Sequence, residues 1–399
     1  MTVSLITTTD ALCAFCDELA QAPFVTIDTE FMREKTFWPQ LCLVQVAGPT
    51  QAAAIDPLAT GIDLAPLYAL LDNPDIMKVF HAARQDIEIF LHATGKIPRP
   101  VFDTQIAAMV CGFGESVSYE NLVTRLVSAR IDKTSRFTDW SHRPLTERQL
   151  AYALADVVHL RPAFEKLRTM LDKNGRAHWL EEEIGQLTDP GTYQVAPDQA
   201  WRRIKVRNPK PRFLAILKEL AEWRELEAQR RDLPRGRLAR DEVLMEIAAH
   251  APTSIDDLAR TRGFGRPQAE GRLGADILAA VQRGLAVPAA LCPTVAPREE
   301  SPPGLAAMVD LFRVLLKLKG DEHQVAPRLI AGSDDLEALA TCSLDPAHQA
   351  GLPALQGWRR EIFGDVALAL RQGHLALTLR KGRVALVPGP VEARSGDDA

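Results

Sequence analysis

The sequence predicts a mixed α/β domain followed by two small all-α helical domains. Three observations carry this. Apolar runs of strand length alternate with helical periodicity over the first 110 residues, the chain downstream of Phe102 reads mostly helical, and two Pro-containing stretches set off two helical segments that resemble each other. At ~150 residues per domain, a chain of 399 residues has room for two or three. Its 46% apolar and 25% charged residues exclude a disordered or fibrous chain.

Taken in order, Phe24–Asp28 after Pro23 is a first strand, Leu41–Ala47 a second and Ala52–Ile55 a third. Helical spacing follows around Leu64–Leu71, then a fourth strand at Ile76–Phe80 and a helix over Ile87–His92. Across Thr146–Lys173, Leu150, Leu154, Val157, Val158 and Leu160 define an apolar face. The first domain is expected to span 1–186. Pro190, Gly191 and Pro197 mark 187–200 as a linker. The second domain, 201–285, opens on a helix with Phe213, Ile216, Leu217, Leu220 and Trp223 at helical spacing. A second linker, 286–304, holds Pro288, Pro293, Pro297, Pro302 and Pro303. The third domain, 303–385, opens on Leu305, Met308, Val309, Phe312, Leu315 and Leu316 along one face. Ile255–Leu258 is echoed by Ser333–Leu336, and Asp276–Gly284 by Asp365–Gly373, as in a divergent duplication. Residues 386–399 read as a loose tail.

The net charge of −5 is unevenly spread. Residues 1–200 carry 17 Lys+Arg against 26 Asp+Glu, 201–285 carry 18 against 12, and 305–385 carry 10 against 9. This describes an acidic body joined to a basic module. No apolar run of ~18 residues is present, so no membrane span is expected. The first basic residue is Arg33 and Asp10 interrupts the N-terminal stretch, so no secretory signal is expected. Cysteines 13, 16, 42, 111, 292 and 342 are too scattered for a disulfide scaffold and fit a reduced cytoplasm. No G-x-x-x-x-G-K-[ST] occurs, so no nucleotide cofactor or ATPase motor is expected.

Three acidic motifs carry chemistry. In Val25-Thr26-Ile27-Asp28-Thr29-Glu30-Phe31, Asp28 and Glu30 share a strand face, where they repel unless a cation lies between them. Alone, such a motif is more often a strand end reaching solvent. In Tyr152-Ala153-Leu154-Ala155-Asp156, the tyrosine and aspartate are helical neighbours, which alone is more often a surface pair. Asp86, in Phe80-His81-Ala82-Ala83-Arg84-Gln85-Asp86-Ile87, sits early in a helix after a strand. Cys13-x-x-Cys16 lacks a second pair, Gly263-Phe264-Gly265 is a turn by default, and His81 reads as a packed residue rather than a ligand.

The order and spacing of the set resemble the exonuclease superfamily named for four acidic residues, on a ribonuclease H-like fold. Asp28-Thr29-Glu30-Phe31, Phe102-Asp103-Thr104-Gln105 and the run Asp139–Asp156 resemble its ribonuclease D branch, over about residues 1–385. The duplicated module is similar to the domain that helicases and ribonuclease D share at their C-termini. The resemblance implies metal ligands at Asp28, Glu30, Asp86 and Asp156 and a catalytic tyrosine at Tyr152. The sister class has a histidine five residues before the last aspartate; Ala151 stands there, and His159 falls after it. Hard oxygen ligands suit two Mg²⁺ or Mn²⁺ ions clamping an in-line displacement at phosphorus. A phenol of reference pKa ~10 would orient the attacking water rather than deprotonate it.

The activity so implied is a 3′→5′ exoribonuclease trimming precursor tRNA and other small structured RNAs in the cytoplasm, releasing 5′-nucleoside monophosphates. Its rivals are a 3′→5′ DNA exonuclease on the same fold and a non-catalytic RNA-binding factor. The backbone at Thr29–Phe31 would meet the terminal nucleotide, with Phe31 either stacking on a base or filling the core. RNA capture falls to Trp201–Arg240, which holds thirteen Lys+Arg and five Asp+Glu, with Arg202, Arg203, Lys205 and Arg207 foremost; its plain alternative is a solvated helix face. Truncation after about residue 190 is expected to leave a self-contained nuclease. Oligomeric state is not legible.

Overall fold

The structure, a computed structural model, describes residues 4–132, 135, 138–194, 196–294, 303–343, 345, 349 and 351–389. Six strands form one mixed sheet: β1 (Leu5–Ile6), β2 (Phe24–Met32), β3 (Gln40–Ala47), β4 (Ala52–Ile55), β5 (Met77–Phe80) and β6 (Val101–Asp103). Their spatial order is β1-β4-β3-β2-β5-β6, with β3 antiparallel to both neighbours and the pairs β1–β4, β2–β5 and β5–β6 parallel. Between them run α1 (Thr9–Leu19), α2 (Ala65–Asp72) and α3 (Arg84–Thr94). Then follow α4 (Thr104–Val110), α5 (Tyr119–Val127), α6 (Glu147–Val158), α7 (Leu160–Asn174) and α8 (Ala177–Leu187).

Period-two alternation sorts the strand residues into two cores. Val25, Ile27, Val44, Val46, Ile55 and Phe80 pack with α1, α2 and α3, while Phe24, Val79 and Phe102 pack on the other face with Phe164 of α7. The four strands expected from the sequence are present. The first runs on past Asp28 because Thr29–Met32 keep pairing with β3, across a register shift between Glu30 and Phe31. Two- and three-residue strands such as β1 and β6 are too short to show a period. The helical stretch 146–173 divides at His159, where Pro162 occupies the first turn of a new helix and supplies no amide to the preceding one. The stretch 187–200 is anchored rather than free: Tyr193 Oη donates to the Leu187 carbonyl at 2.7 Å, and Ala200 and Trp201 are buried.

The next helices are α9 (Pro211–Arg231), α10 (Arg235–Leu238), α11 (Asp241–His250), α12 (Ile255–Ala259), α13 (Arg266–Ala269) and α14 (Arg272–Ala286). They close around Leu214, Leu217, Leu220, Leu244, Ile247 and Ile277. Of the second linker, Pro297 and Pro302 lie outside the described residues. Beyond it come α15 (Leu305–His323), α16 (Pro327–Ile330), α17 (Ser333–Thr341), α18 (Gly357–Arg359), a π-turn at Arg360–Gly364 and α19 (Asp365–Arg371). In both regions a long helix is followed by a four-residue helix and then a helix of nine or ten residues. That order pairs Ser333–Thr341 with Asp241–His250, so the sequence echo to Ile255–Leu258 is out of register.

Two further expectations are corrected. The last region carries an antiparallel hairpin, β7 (Leu375–Arg380) and β8 (Arg383–Pro388), turned by Lys381 and Gly382 at φ 51° and 76°, so it is not purely helical. Leu386–Pro388 belong to that hairpin and not to a tail; 390–399 lie outside the described residues.

Nor is the acidic body self-contained. Phe24, Phe102, Phe164 and Trp179 share one apolar core with Phe312, Leu315, Trp358 and Phe363. Trp179 and Trp358 stack at 4.3 Å, Arg359 pairs with Glu182 at 3.2 Å and also with Glu183, and Ala326 N donates to the Met109 carbonyl at 2.9 Å. Gly112, at φ 79°, backs onto Gln324, whose carbonyl oxygen a Cβ there would approach to 2.7 Å. Truncation after residue 190 would therefore strip a shared core. Trp358→Ala is expected to destabilise the full chain by about 3–5 kcal/mol, measurable by urea unfolding; a loss below ~1 kcal/mol would show that the interface contributes little.

Candidate active site

β2 passes from the buried core to the sheet end, so Asp28 and Glu30 emerge on one face at alternate positions. Helix α6 lies against β2 and β3, tied by Thr26 Oγ1 donating to the Val157 carbonyl at 2.8 Å. Its start is fixed by a Thr146/Gln149 capping box. Asp156 is thereby brought to the strand: one carboxylate oxygen each of Asp28, Glu30 and Asp156 lie within 4.8 Å of one another. Asp86 stands beside them in the first turn of α3, buried, and accepts from Thr29 Oγ1 at 2.5 Å. The α3 N-terminus is held by Asp103, whose carboxylate accepts from the amides of Ala82 (3.1 Å), Ala83 (2.8 Å), Gln105 (2.7 Å) and Ile106 (3.3 Å). The Asp103 motif thus serves as a bracket at the turn that precedes Asp86.

Carboxylates gathered this way are costly to ionise together. Burial pushes Asp28 up to about 6, against the opposing backbone hydrogen bond at Thr29. Asp156 rises to about 8 through burial and then the Asp28 charge, opposed by a hydrogen bond from Tyr152. Asp86 is held well above the usual carboxylate range by burial and by Asp28, opposed by Thr29. A divalent cation would reverse these shifts, and the all-oxygen donor set suits a hard ion. The residues present therefore fit the metal.

Above the cluster lies a cleft of about 1050 Å³ whose lining includes Asp28, Glu30, Phe31, Tyr119, Tyr152 and Asp156. Phe31 is half-buried on its wall. Thr29 is buried and its hydroxyl is engaged by Asp86. Tyr119, which the sequence reading missed, donates from Oη to the Ala155 carbonyl at 3.0 Å and to that of Asp156. It pins the helix turn that bears Asp156. No motif surrounds it, so only the tertiary contact identifies it. His81 behaves as expected, packed edge-on to Tyr119 at 5.5 Å with Nδ1 at 3.0 Å from Thr104 Oγ1. Cys16 is buried in α1 with its thiol pushed up to about 12, and Gly263 takes a left-handed turn at φ 83°.

The structure does not bring the basic residues to this cluster. Arg202, Arg203, Lys205 and Arg207 are exposed on the helical region, and none lines the cleft. Several arginines counted in the basic stretch are engaged within the fold. Arg224 pairs with Asp241 at 2.7 Å, Arg230 and Arg231 with Glu227 at 2.7 and 2.5 Å, and Arg235 with Glu225 at 2.5 Å. Arg212 caps the carbonyls of Gly284, Leu285 and Val287.

Residues 3–172 match the 3′-5′ exonuclease family and residues 213–281 the HRDC domain family. The chain is 50% identical over 384 residues to a ribonuclease D of Gluconacetobacter diazotrophicus, covering 96% of each chain. A ribonuclease D of Granulibacter bethesdensis is 49% identical over 385 residues, again covering 96% of each. The chain belongs to the ribonuclease D family. The crystal structure of Escherichia coli RNase D, described as an exoribonuclease involved in structured RNA processing, superposes with a TM-score of 0.80 at 32% identity, covering 93% of this chain and 99% of that one. As a ribonuclease D, this chain is a 3′→5′ exoribonuclease, a hydrolase of a fold that uses divalent metal. Among the described residues no helix is long and apolar enough to cross a membrane.

Proposed function

We propose that Asp28, Glu30, Asp86 and Asp156 hold two Mg²⁺ or Mn²⁺ ions, and that the enzyme trims 3′ extensions from precursor tRNA and other small structured RNAs, releasing 5′-nucleoside monophosphates. The observation that carries this is the convergence of Asp28, Glu30 and Asp156 within 4.8 Å in a cleft-lining cluster whose aspartates are shifted upward. When bound, the ions supply a more acidic water and neutralise charge on the leaving 3′-oxygen. Tyr152 Oη, one helical turn from Asp156, holds the attacking water in line. The Thr29–Phe31 backbone meets the terminal nucleotide, and Phe31 offers it a stacking face. Arg202, Arg203, Lys205 and Arg207 contact phosphates farther along the RNA, independent of sequence. Residues 1–186, 201–285 and 303–385 are read as the exonuclease domain, an HRDC domain and a divergent second copy. Six unpaired cysteines favour a reducing, cytoplasmic setting.

The test is hydrolysis of a 3′-extended tRNA beside matched single-stranded DNA, with Mg²⁺, Mn²⁺ or chelator. We expect single-nucleotide shortening of the RNA with either ion and none with chelator. Full activity in chelator would reject the metal site, and preference for DNA would reject the substrate class.

A further inference from the structure

One wall segment of the cleft is held in place by the helical region. Residues 33–39 join β2 to β3, and Glu34, Lys35 and Thr36 among them line the cleft. Lys35 is the only lysine or arginine among the described lining residues, in a cleft otherwise crowded with carboxylates. The exonuclease domain pins the segment at its start, through Arg33 paired with Glu88 by two 2.8 Å bonds, and near its end, where Trp38 stacks on His92 at 4.1 Å. Between these anchors the amides of Phe37 and Trp38 both donate to Asp232 Oδ1, at 3.0 and 2.9 Å. Asp232 caps α9 in the left-handed region, φ 50°, ψ 48°. Around it Phe37 is buried against Ala228 and Leu238, and the Arg235 guanidinium covers the Phe37 ring at 4.4 Å.

We infer that Asp232 is a positioning residue for the exonuclease reaction, holding the 34–36 wall so that Lys35 contacts a backbone phosphate of the RNA entering the cleft. The inference rests on the exoribonuclease reading. Two amides sharing one carboxylate oxygen make a charge-assisted fork that fixes the chain direction immediately after Thr36. Among the described lining residues, the lysine is the one positive side chain able to offset the cleft's repulsion of a polyanion away from the metal. The helical region thus buttresses the 34–36 wall of the catalytic cleft as well as gripping distant RNA.

The experiment uses the full chain, Mg²⁺ and a short single-stranded RNA too short to span both sites. Asp232→Asn keeps an acceptor and tolerates the left-handed conformation, while Asp232→Gly keeps the conformation and removes the acceptor. We expect D232N, which keeps the acceptor and loses its charge, to raise KM less than D232G does. We expect D232G and K35A each to raise KM about tenfold, the scale of one charge-assisted hydrogen bond, with kcat nearly unchanged. The double variant should be no worse than K35A alone, because the two act through one contact. An unchanged KM in D232G or K35A, or additive effects in the double variant, would overturn the inference. So would a D232G chain that melts below the assay temperature, since the role would then be purely structural. A parent inactive on every RNA would overturn the exoribonuclease reading and this inference together; an active parent with D232G unchanged would overturn this inference alone.

Discussion

Asp156→Asn should cut turnover by at least ~10³-fold and yet raise the melting temperature of the metal-free protein at pH 8. The first effect follows from removing a charged oxygen from the proposed metal site, where a bound ion would contribute several kcal/mol of transition-state stabilisation. The second follows from linkage. Asp156 ionises at about 8 in the fold, against an unperturbed value near 3.8, with burial and the Asp28 charge as the causes. A raised carboxyl pKa contributes stability that is full below the unfolded value and is lost as pH climbs through the folded one. The metal-free parent should therefore weaken relative to D156N progressively between about pH 4 and pH 8. Thermal melts in chelator across that range measure the gap. Saturating Mg²⁺ should close or invert it, because only the parent gains the full binding energy. Wild-type turnover in D156N, or parallel melting curves for the two proteins in chelator, would contradict the assignment.

What the sequence made legible was local and periodic. Asp28 and Glu30 fall two apart on a strand, and Tyr152 and Asp156 four apart on a helix, so their shared faces follow from backbone geometry alone. Asp86 became a candidate only through family resemblance, because the Thr29 hydroxyl and the Asp103 clamp that place it are contacts across 57 and about 20 residues of chain. Tyr119 was not legible at all. Its role lies in reaching the carbonyls of Ala155 and Asp156 from a helix 36 residues away, and a lone tyrosine carries no pattern that announces such a reach. The charge count misled in one respect. It registered Arg224, Arg230, Arg231 and Arg235 as available to RNA, whereas each is paired with Asp241, Glu227 or Glu225. Composition sums charges without knowing which have partners. Domain independence was misjudged for a related reason. Trp179 and Trp358 each look like core residues of their own segment, and only the fold shows that they stack on one another.

Tyr152→Phe should lower kcat about 10²-fold, the scale expected when a nucleophile loses its orientation. The ring itself is held: it packs with Trp140 at 6.1 Å and borders the cluster of Cys42, Leu43 and Leu154, so the phenylalanine keeps the fold. The hydroxyl has a second effect whose sign is fixed. Its hydrogen bond lowers the Asp156 pKa from where burial and the Asp28 charge would otherwise set it. Removing it raises that pKa further above 8, so metal must displace a more tightly held proton. The acid limb of the pH–rate profile should therefore move to higher pH in the variant, and apparent Mg²⁺ affinity should fall at pH 7 but recover by pH 9. Single-turnover rates at saturating metal separate the two effects, because water orientation survives as a loss of rate at every pH while the proton competition disappears at high pH. A variant that regains parental single-turnover rates at pH 9 would assign the tyrosine to tuning Asp156 alone, with the attacking water held by other groups. A variant slow at all pH values, with an unmoved acid limb, would assign it to the water and leave Asp156 indifferent to its neighbour.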